Sequence, residues 1–447
     1  MAASSALSQR CWLPALALLT WVGGIAAAQQ DRVVVIERTL ETAPTYVTVH
    51  VQVWQGDRLL EGKGSQLAAL RRLENLQDLD RILDGKAEEV RESSFTAFLD
   101  TGASGHVLSE ATAKRFQIQM EPGAVYHETG LHGEVAMGVS QPYTLALAPT
   151  TGRLFDQPVQ AHFGLAGRDV RFLINRVQPD PVVALTLGEI NVIGMPAIRD
   201  LVVEIDPAPM GRVNGHRDEK VNQAIQDLKD IEGLENLDLL AQLDRVGVGP
   251  AVRLFDGRYQ PPGVDLIVPL KRVDYTRQRN PADRGAKPTL SENFVVPGVA
   301  IQQGNASATG DWLLDTGAPA SMISTRQAKA IGLLTAEGKL TRQPDFSLPL
   351  GGIGGQITPA PGFRIDVLRI KAADGRIIEY HNAHVLIKDV STKQDSGETV
   401  TLDGVLGMNL LLPTVSGLGM GLPSDVADGP FQRIWIDGPR ARLLLKR

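Results

Sequence analysis

The hexapeptide Phe98-Leu99-Asp100-Thr101-Gly102-Ala103 returns, in closely similar form, as Leu313-Leu314-Asp315-Thr316-Gly317-Ala318. In each copy two apolar residues precede an aspartate, a threonine, a glycine and an alanine. The two aspartates lie 215 residues apart (315 − 100). A single Asp-Thr-Gly is most often a plain turn, but here the same series of landmarks follows each copy. The pattern therefore indicates a repeated folding unit.

A serine and a short helical pattern come next in both copies. Ser109 and Ser324 lie nine residues after their aspartates, and Ala113-Lys114 and Ala328-Lys329 follow at matching positions. Serine is a favoured helix N-cap, so each segment predicts a turn and a short helix. In the second copy Gln327 completes the spacing of a capping box.

Glycine-containing hairpin tips are predicted further along each copy. They are Gly130-Leu131-His132-Gly133-Glu134-Val135 and Gly352-Ile353-Gly354-Gly355-Gln356-Ile357. Both runs have a glycine, an aliphatic residue, a free position, a glycine, a polar residue and an aliphatic residue. Glycines between strand-like flanks favour tight hairpins with positive φ angles.

Each copy ends with an aliphatic-Gly-Met run and a closing strand. The glycines of Val192-Ile193-Gly194-Met195 and Val405-Leu406-Gly407-Met408 lie 94 (194 − 100) and 92 (407 − 315) residues after the aspartates. Leu201–Asp206 and Arg433–Asp437 then predict strands. This last step takes 12 residues in the first copy (206 − 194) and 30 in the second (437 − 407). The second copy is therefore expected to carry an insertion, around residues 417–429.

On these motifs the chain resembles the aspartic proteases, and the motifs of each half look like those of the retroviral-protease-like branch. The resemblance rests on Asp-Thr-Gly-Ala, on Gly-Gly-Ile-Gly-Gly at 351–355 and on Leu-Gly-Met-Asn at 406–409. It is looser at the first hairpin, where His132 and Glu134 replace a glycine-rich tip. It implies a mostly β fold: two related acid-protease β-barrel lobes with a cleft between them, in a pepsin-like bilobal arrangement.

The resemblance implies that Asp100 and Asp315 form a catalytic pair. Two carboxylates that share one proton supply both a base to activate water and an acid to protonate the substrate. Like charges about 3 Å apart cannot both ionise, so the two pKa values split and belong to the pair. This chemistry needs no cofactor and no metal.

The neighbours of the aspartates have implied supporting roles. The hydroxyls of Thr101 and Thr316 would hydrogen-bond across the lobes, and the glycines would let backbone amides approach the carboxylates; these glycines are Gly102 and Gly317. Alanine follows each glycine, where pepsins usually have serine or threonine. Fewer hydrogen bonds to the carboxylates raise their pKa, so we expect an optimum around pH 5–6.

The aliphatic-Gly motifs would hold the aspartate loops from beneath, and the two hairpins would close as flaps over an extended peptide. The predicted substrate-binding residues of the flaps are Gly130, Leu131, His132, Gly133, Gly352, Ile353, Gly354 and Gly355.

Composition and histidine spacing argue against a nucleic-acid-binding protein and against a zinc site. The net charge of −6 provides no broad basic field for nucleic acid, and the 43% apolar content is that of a globular protein. His381 and His384 lie three apart in a strand-like run, so their side chains are predicted on opposite faces, which disfavours a zinc site.

The N-terminus predicts export. Arg10, the apolar run Trp12–Ile25 and Ala26-Ala27-Ala28 have the order of a signal peptide over residues 1–28. An uncleaved anchor is the alternative. The only cysteine, Cys11, lies in this segment, so the mature chain would contain no disulfide. A periplasmic, cell-surface or secreted location is expected, without stable membrane insertion after cleavage.

Two leucine-patterned segments depart from the β pattern. Gln66–Leu83 predicts an amphipathic helix inserted at about 66–90, and Lys220–Val246 predicts a helical linker within 213–250. The expected lobes are then residues 29–212 and 251–447.

The sequence thus favours an aspartic endopeptidase that acts on extended polypeptides as a monomeric catalytic unit. Its partner would be a peptide or protein substrate. Two alternatives remain: a bilobal peptide-binding protein without turnover, and an interaction module built on the inserted helices.

Overall fold

A computed structural model describes residues 32–43, 46–63, 91–130, 133–152, 163–177, 190–210, 249–275, 280–352, 357–393, 399–416 and 425–447. Three predictions lie outside these residues: the signal peptide, the helix at 66–83 and the helical linker at 220–246. Within the described ranges, none of the helices has the length and apolar character that crossing a membrane requires.

The described residues of the first half lie mainly in strands. They are β1 (Val33–Ile36), β2 (Thr48–Gln55), β3 (Arg58–Leu59), β4 (Gly62–Lys63), β5 (Arg91–Glu92), β6 (Phe95–Leu99), β7 (Val107–Ser109), β8 (Met120–Gly130), β9 (Gly133–Ser140), β10 (Tyr143–Ala148), β11 (Gly164–Val170), β12 (Leu173–Asn175), β13 (Val192–Ile193) and β14 (Leu201–Asp206). Two short helices accompany them, α1 (Glu110–Arg115) and α2 (Met195–Ile198).

The second half repeats this composition. Its strands are β15 (Ala251–Asp256), β16 (Leu266–Pro269), β17 (Lys271–Val273), β18 (Asn293–Gln303), β19 (Ala306–Leu314), β20 (Met322–Ile323), β21 (Phe346–Gly351), β22 (Ile357–Lys371), β23 (Ile377–Ile387), β24 (Ser391–Lys393), β25 (Thr399–Thr401), β26 (Gly404–Leu406), β27 (Thr414–Ser416), β28 (Asp425–Ala427), β29 (Arg433–Asp437) and β30 (Arg442–Lys446). One α-helix, α3 (Thr325–Ala330), and a 3-10 helix, Met408–Leu410, complete it.

The fold is mostly β and contains a closed six-stranded barrel, as the sequence predicted. The barrel belongs to the second sheet, in which β19, β18, β22, β23, β20 and β26 pair in a ring back to β19. Closing the ring leaves these six strands without a free edge.

The first sheet repeats the same pairings with two strands interrupted. Its order is β11-β10-β2-β6-β13-β7-β12-β9-β8. The strand that corresponds to β22 is split in the first sheet into β9 and β10 at Gln141-Pro142. The strand that corresponds to β23 is split into β11 and β12 at Arg171-Phe172. Proline has no N–H to donate, so a break at Pro142 follows from local chemistry.

The strands that lead to the two aspartates are central in both sheets. β6 has alternating buried and partly buried residues and pairs in parallel with β13, while β19 pairs in parallel with β26. Strands buried on both faces are held firmly, so each aspartate follows a rigid strand. Buried aliphatic side chains from both halves form one continuous core cluster.

A third sheet joins the two halves, in the order β15-β14-β29-β30-β16. β14 and β29, the predicted closing strands, pair with each other through Val202↔Asp437 to Ile205↔Ile434. The C-terminal strand β30 lies inside this shared sheet, between β29 and β16.

Two further details test the sequence predictions. The extra residues of the second copy include the hairpin β27–β28, of which β28 lies within the insertion expected around residues 417–429 and β27 lies just before it. Ser109 and Ser324 cap their helices, accepting hydrogen bonds from Thr112 N–H (3.0 Å) and Gln327 N–H (3.2 Å). The capping box is wrong, because the Gln327 side chain donates to the Thr309 carbonyl instead of turning back to its own cap.

Candidate active site

The two Asp-Thr-Gly turns meet between the first and second sheets. We call residues 100–105 the first aspartate loop and residues 315–320 the second. The Thr101 hydroxyl donates to the Leu314 carbonyl (2.6 Å), and the Thr316 hydroxyl donates to the Leu99 carbonyl (2.5 Å). Each hydroxyl also accepts from the other threonine's N–H, both at 3.1 Å. Four buried hydrogen bonds therefore hold the two loops to each other.

The glycine of each loop lies against the aspartate of the other. A Cβ built on Gly102 would come within 2.6 Å of the carboxylate carbon of Asp315, and one on Gly317 would come equally close to that of Asp100. A real side chain does not tolerate such a distance, so only glycine permits the approach. The glycines thus allow two carboxylates from distant parts of the chain to become neighbours.

Each carboxylate is also oriented by its own loop. Asp100 Oδ1 accepts from the N–H groups of Gly102 (2.7 Å) and Ala103 (3.2 Å), and Asp315 Oδ1 accepts from the Gly317 N–H (2.9 Å). Each carboxyl group is close enough to the other to change its pKa. Two adjacent carboxyl groups that share one proton are the arrangement that acid/base chemistry on water needs.

Burial raises the pKa of both aspartates above its usual range, against the backbone hydrogen bonds that lower it. For Asp315 the nearby negative charge of Asp100 raises the pKa further, so the proton of the pair is held well above the ordinary range of an aspartate. The pair therefore favours one proton and one negative charge over a wide interval of pH.

The aliphatic-Gly motifs lie directly beneath the loops. Asp100 N–H donates to the Ile193 carbonyl (2.9 Å) and Asp315 N–H donates to the Leu406 carbonyl (3.1 Å). Gly194 and Gly407 approach the loop backbones so closely that an added Cβ would lie 2.1 and 2.5 Å from the nearest backbone atom. Their supporting position agrees with the one implied by the resemblance.

Several site residues were missed by sequence reasoning. Asn293, which is buried, donates to the carbonyls of Thr101 and Gly102, both at 3.0 Å, and accepts from the Ser104 hydroxyl at 2.7 Å. It therefore ties the first aspartate loop to β18 of the second sheet. No pattern in the sequence distinguishes this asparagine from other strand residues, because its partners are 189 to 192 residues away.

In the first sheet, Tyr46 lies just before β2, at the position that corresponds to Asn293 before the second aspartate. Its ring packs on Phe98 with the ring centroids 4.6 Å apart, and burial, together with the charge of Asp315, raises the pKa of its hydroxyl to about 12. Tyr46 thus carries an aromatic ring and a neutral hydroxyl towards the second aspartate.

Below the second loop, Ser321 and Asn409 form a buried pair. Asn409 Oδ1 accepts from the Ser321 N–H (2.9 Å) and hydroxyl (2.7 Å), and the same hydroxyl oxygen accepts from Gly407 N–H (3.0 Å). The Leu-Gly-Met-Asn run was recognised in the sequence, but its serine partner 88 residues earlier was not.

The two predicted flaps are both hairpins. In the first, β8–β9, Gly130 pairs with Gly133, whose φ is +108°; in the second, β21–β22, Gly351 pairs with Ile357. Gly352 follows β21 directly. The remaining predicted flap residues lie outside the described ranges: Leu131, His132, Ile353, Gly354 and Gly355.

The first hairpin is tied to a segment of the second half. Asp283 accepts from the His127 N–H (2.8 Å) and contacts its ring nitrogen Nδ1 (2.9 Å), and Val125 exchanges backbone hydrogen bonds with Arg284. Asn280 donates to Glu134 (3.1 Å) on the other strand of the hairpin. The first hairpin is therefore restrained by backbone and side-chain contacts with residues 280–284.

Metal ligands do not cluster in the described parts of the chain. His381 contacts Glu379 and Glu37, whereas His384 contacts Thr39 and the ring of Phe346.

Comparison with known proteins points to one family. Residues 299–410 match the family model described as aspartyl protease, a region that contains Asp315, the second hairpin and Asn409. This match supports an aspartyl protease family and covers about a quarter of the chain. Among curated proteins no match was found.

Proposed function

We propose that this chain is an aspartic endopeptidase of bilobal, pepsin-like architecture with retroviral-protease-like motifs in each half. The observation that carries the proposal is the reciprocal contact of the aspartate loops, in which Thr101 and Thr316 cross and each glycine adjoins the opposite aspartate. One chain supplies both halves of the site, which supports a monomeric catalytic unit. The family match of the second half supports peptides or proteins as substrates.

The chemistry proposed for the pair begins with a water between the two carboxyl groups. The ionised carboxylate takes a proton from this water as its oxygen forms a bond to the amide carbon, and the protonated carboxyl gives its proton to the carbonyl oxygen. As the resulting gem-diol collapses, the carboxylate that gave up its proton takes one back from a hydroxyl, the C–N bond breaks, and the other carboxyl delivers the proton taken from water to the leaving amine. Since the pair titrates as a unit, we assign neither Asp100 nor Asp315 alone as the base.

The hairpins β8–β9 and β21–β22 are proposed to cover an extended substrate. Strand-like hairpin edges can pair with the backbone of a bound peptide, and covering the site excludes bulk water. The predicted signal peptide supports export, to a periplasm, a cell surface or the medium.

The test is cleavage of a peptide library by the exported, full-length chain across pH 3–8, with and without pepstatin. We expect cleavage that pepstatin inhibits and that Asp100→Asn and Asp315→Asn each reduce at least about a thousandfold. Asp57→Asn, in the exposed β2–β3 turn, is the matched control and should cleave normally. Tight peptide binding without any turnover would instead support the peptide-binding alternative.

A further inference from the structure

A histidine lies where the second aspartate loop has a serine. His106 and Ser321 both come six residues after their aspartates (106 − 100 and 321 − 315). His106 Nδ1 accepts from the Gly194 N–H at 3.1 Å, as the Ser321 hydroxyl oxygen accepts from the Gly407 N–H at 3.0 Å. The two side chains thus perform the same task, which is to anchor the aliphatic-Gly motif to the loop above it.

The hydrogen bond determines the state of the imidazole. An amide N–H only donates, so Nδ1 must be unprotonated and the ring must be the neutral tautomer with its proton on Nε2. The His106 side chain is 1% exposed and its ring packs against Phe172, with centroids 5.9 Å apart. Nε2 is buried and has no hydrogen-bond partner among the described residues.

Protonation would break this anchor. A proton on Nδ1 would point at the Gly194 N–H, replacing an acceptor by a donor, and would place a charge in an apolar surrounding. The serine of the second loop remains a hydrogen-bond acceptor on acidification, because a hydroxyl does not titrate in this range.

Among the described residues packed around the ring, none carries a charge that would compensate a protonated imidazole. The elements around the ring, β7, β12, β13 and α2, contain no titratable side chain. On the adjoining segments, Asp100 is bound within the aspartate pair and Arg171 is bound to Glu121 and to the Ser140 carbonyl. Arg168 and Asp169 on β11 are exposed.

We propose that His106 is a positioning residue that holds the first aspartate loop only while its imidazole is neutral. Acidification then disrupts the structure of the first loop before that of the second. As an account of acid inactivation the proposal rests on the proposed peptidase function, but the structural transition itself does not. Burial lowers the pKa of His106 to about 3. The native protein therefore resists protonation at a pH where the unfolded chain, with an ordinary histidine pKa, has already accepted the proton.

The first test uses Asp100→Asn protein, which cannot digest itself, and follows its acid unfolding by near-ultraviolet circular dichroism. His106→Asn retains an acceptor near the Nδ1 position without a titratable ring, and we expect it to lower the unfolding midpoint by about one pH unit. His106→Leu, which lacks the acceptor, should destabilise the protein at every pH without restoring acid resistance. An unchanged midpoint in His106→Asn would overturn the proposal.

A control and a direct observation complete the test. His381, whose pKa is raised by Glu379 and Glu37, stabilises the protein at low pH, so His381→Asn should not lower the midpoint. Nitrogen-detected NMR of the Asp100→Asn protein at pH 6 should show an Nε2-protonated His106. An Nδ1-protonated ring would contradict the proposal, and this result does not depend on whether His106→Asn folds.

Activity provides the last measurement. Active protein is held at pH 2–4, returned to its optimum and assayed, each variant being compared with its own untreated sample. We expect His106→Asn to keep at least about threefold more of its activity than wild type after the treatment. If no variant cleaves any peptide, the proposed function fails, while the circular dichroism and NMR results still decide the role of His106.

Discussion

Gly317 lies so close to Asp100 that a Cβ on the glycine would come within 2.6 Å of the aspartate's carboxylate carbon. The same relationship holds between Gly102 and Asp315, which makes the two loops interlock. The distance between the carboxylates is therefore set by the absence of two side chains.

Gly317→Ala should separate the aspartates and reduce kcat/KM at least about a hundredfold, because a displacement of about 1 Å at reacting groups has an effect of this size. Peptide cleavage at the pH optimum measures the loss. Gly164→Ala is the matched control, since a Cβ at that position meets open space. Full activity in Gly317→Ala would show that the carboxylates need not be adjacent.

Thr316→Val should destabilise the protein by about 2–5 kcal/mol. The substitution leaves the Leu99 carbonyl and the Thr101 N–H buried without their partners, and each unsatisfied group costs about 1–3 kcal/mol. Urea unfolding measures the change, and Thr316→Ser, which retains the hydroxyl, should recover most of it. A larger loss in the serine variant than in the valine variant would mean that the methyl group, not the hydroxyl, matters.

Asp315→Asn should stabilise the protein at neutral pH. Because the pKa of Asp315 is raised, the native state keeps a proton that the unfolded state has released, and stability falls as pH rises through that interval. Each unit of the raised pKa corresponds to about 1.4 kcal/mol. Thermal unfolding should show a larger gain over wild type at pH 7 than at pH 4, and a gain that is independent of pH would contradict this reasoning.

Asn293→Ala should lower kcat about tenfold or more with a smaller effect on KM, since it releases the first aspartate loop from β18 without removing a carboxylate. Steady-state kinetics distinguish the two parameters. Asn305→Ala, at an exposed turn, is the control. A change confined to KM would place Asn293 in substrate binding instead.

The pH profile should have its optimum around pH 5–6, since burial raises the pKa of both aspartates. Ala103→Ser adds a hydroxyl beside Asp100 and should move the acid side of the profile to lower pH. Activity confined below about pH 3 would disagree with the direction of these pKa changes.

The repeat, the strands that lead to both aspartates, the capped helices and the two hairpins were all predictable from residue patterns. These features are local, because a serine cap, a glycine turn or an alternating strand is determined by residues within a few positions. The closed barrel followed from resemblance, and the break between β9 and β10 at Pro142 in the first sheet is a local effect that spacing alone did not indicate.

The amino-acid order alone singled out the candidate residues for the chemistry, since Asp100 and Asp315 stand out by their repeated surroundings. Only the tertiary structure decided what supports them. Asn293, Tyr46, His106 and Ser321 act on loops or motifs that lie far away along the chain, and hydrogen bonds across 86 to 192 residues leave no periodic mark in the sequence. Such partners are selected by three-dimensional proximity and by the need to satisfy buried polar groups, neither of which exists before the chain has folded.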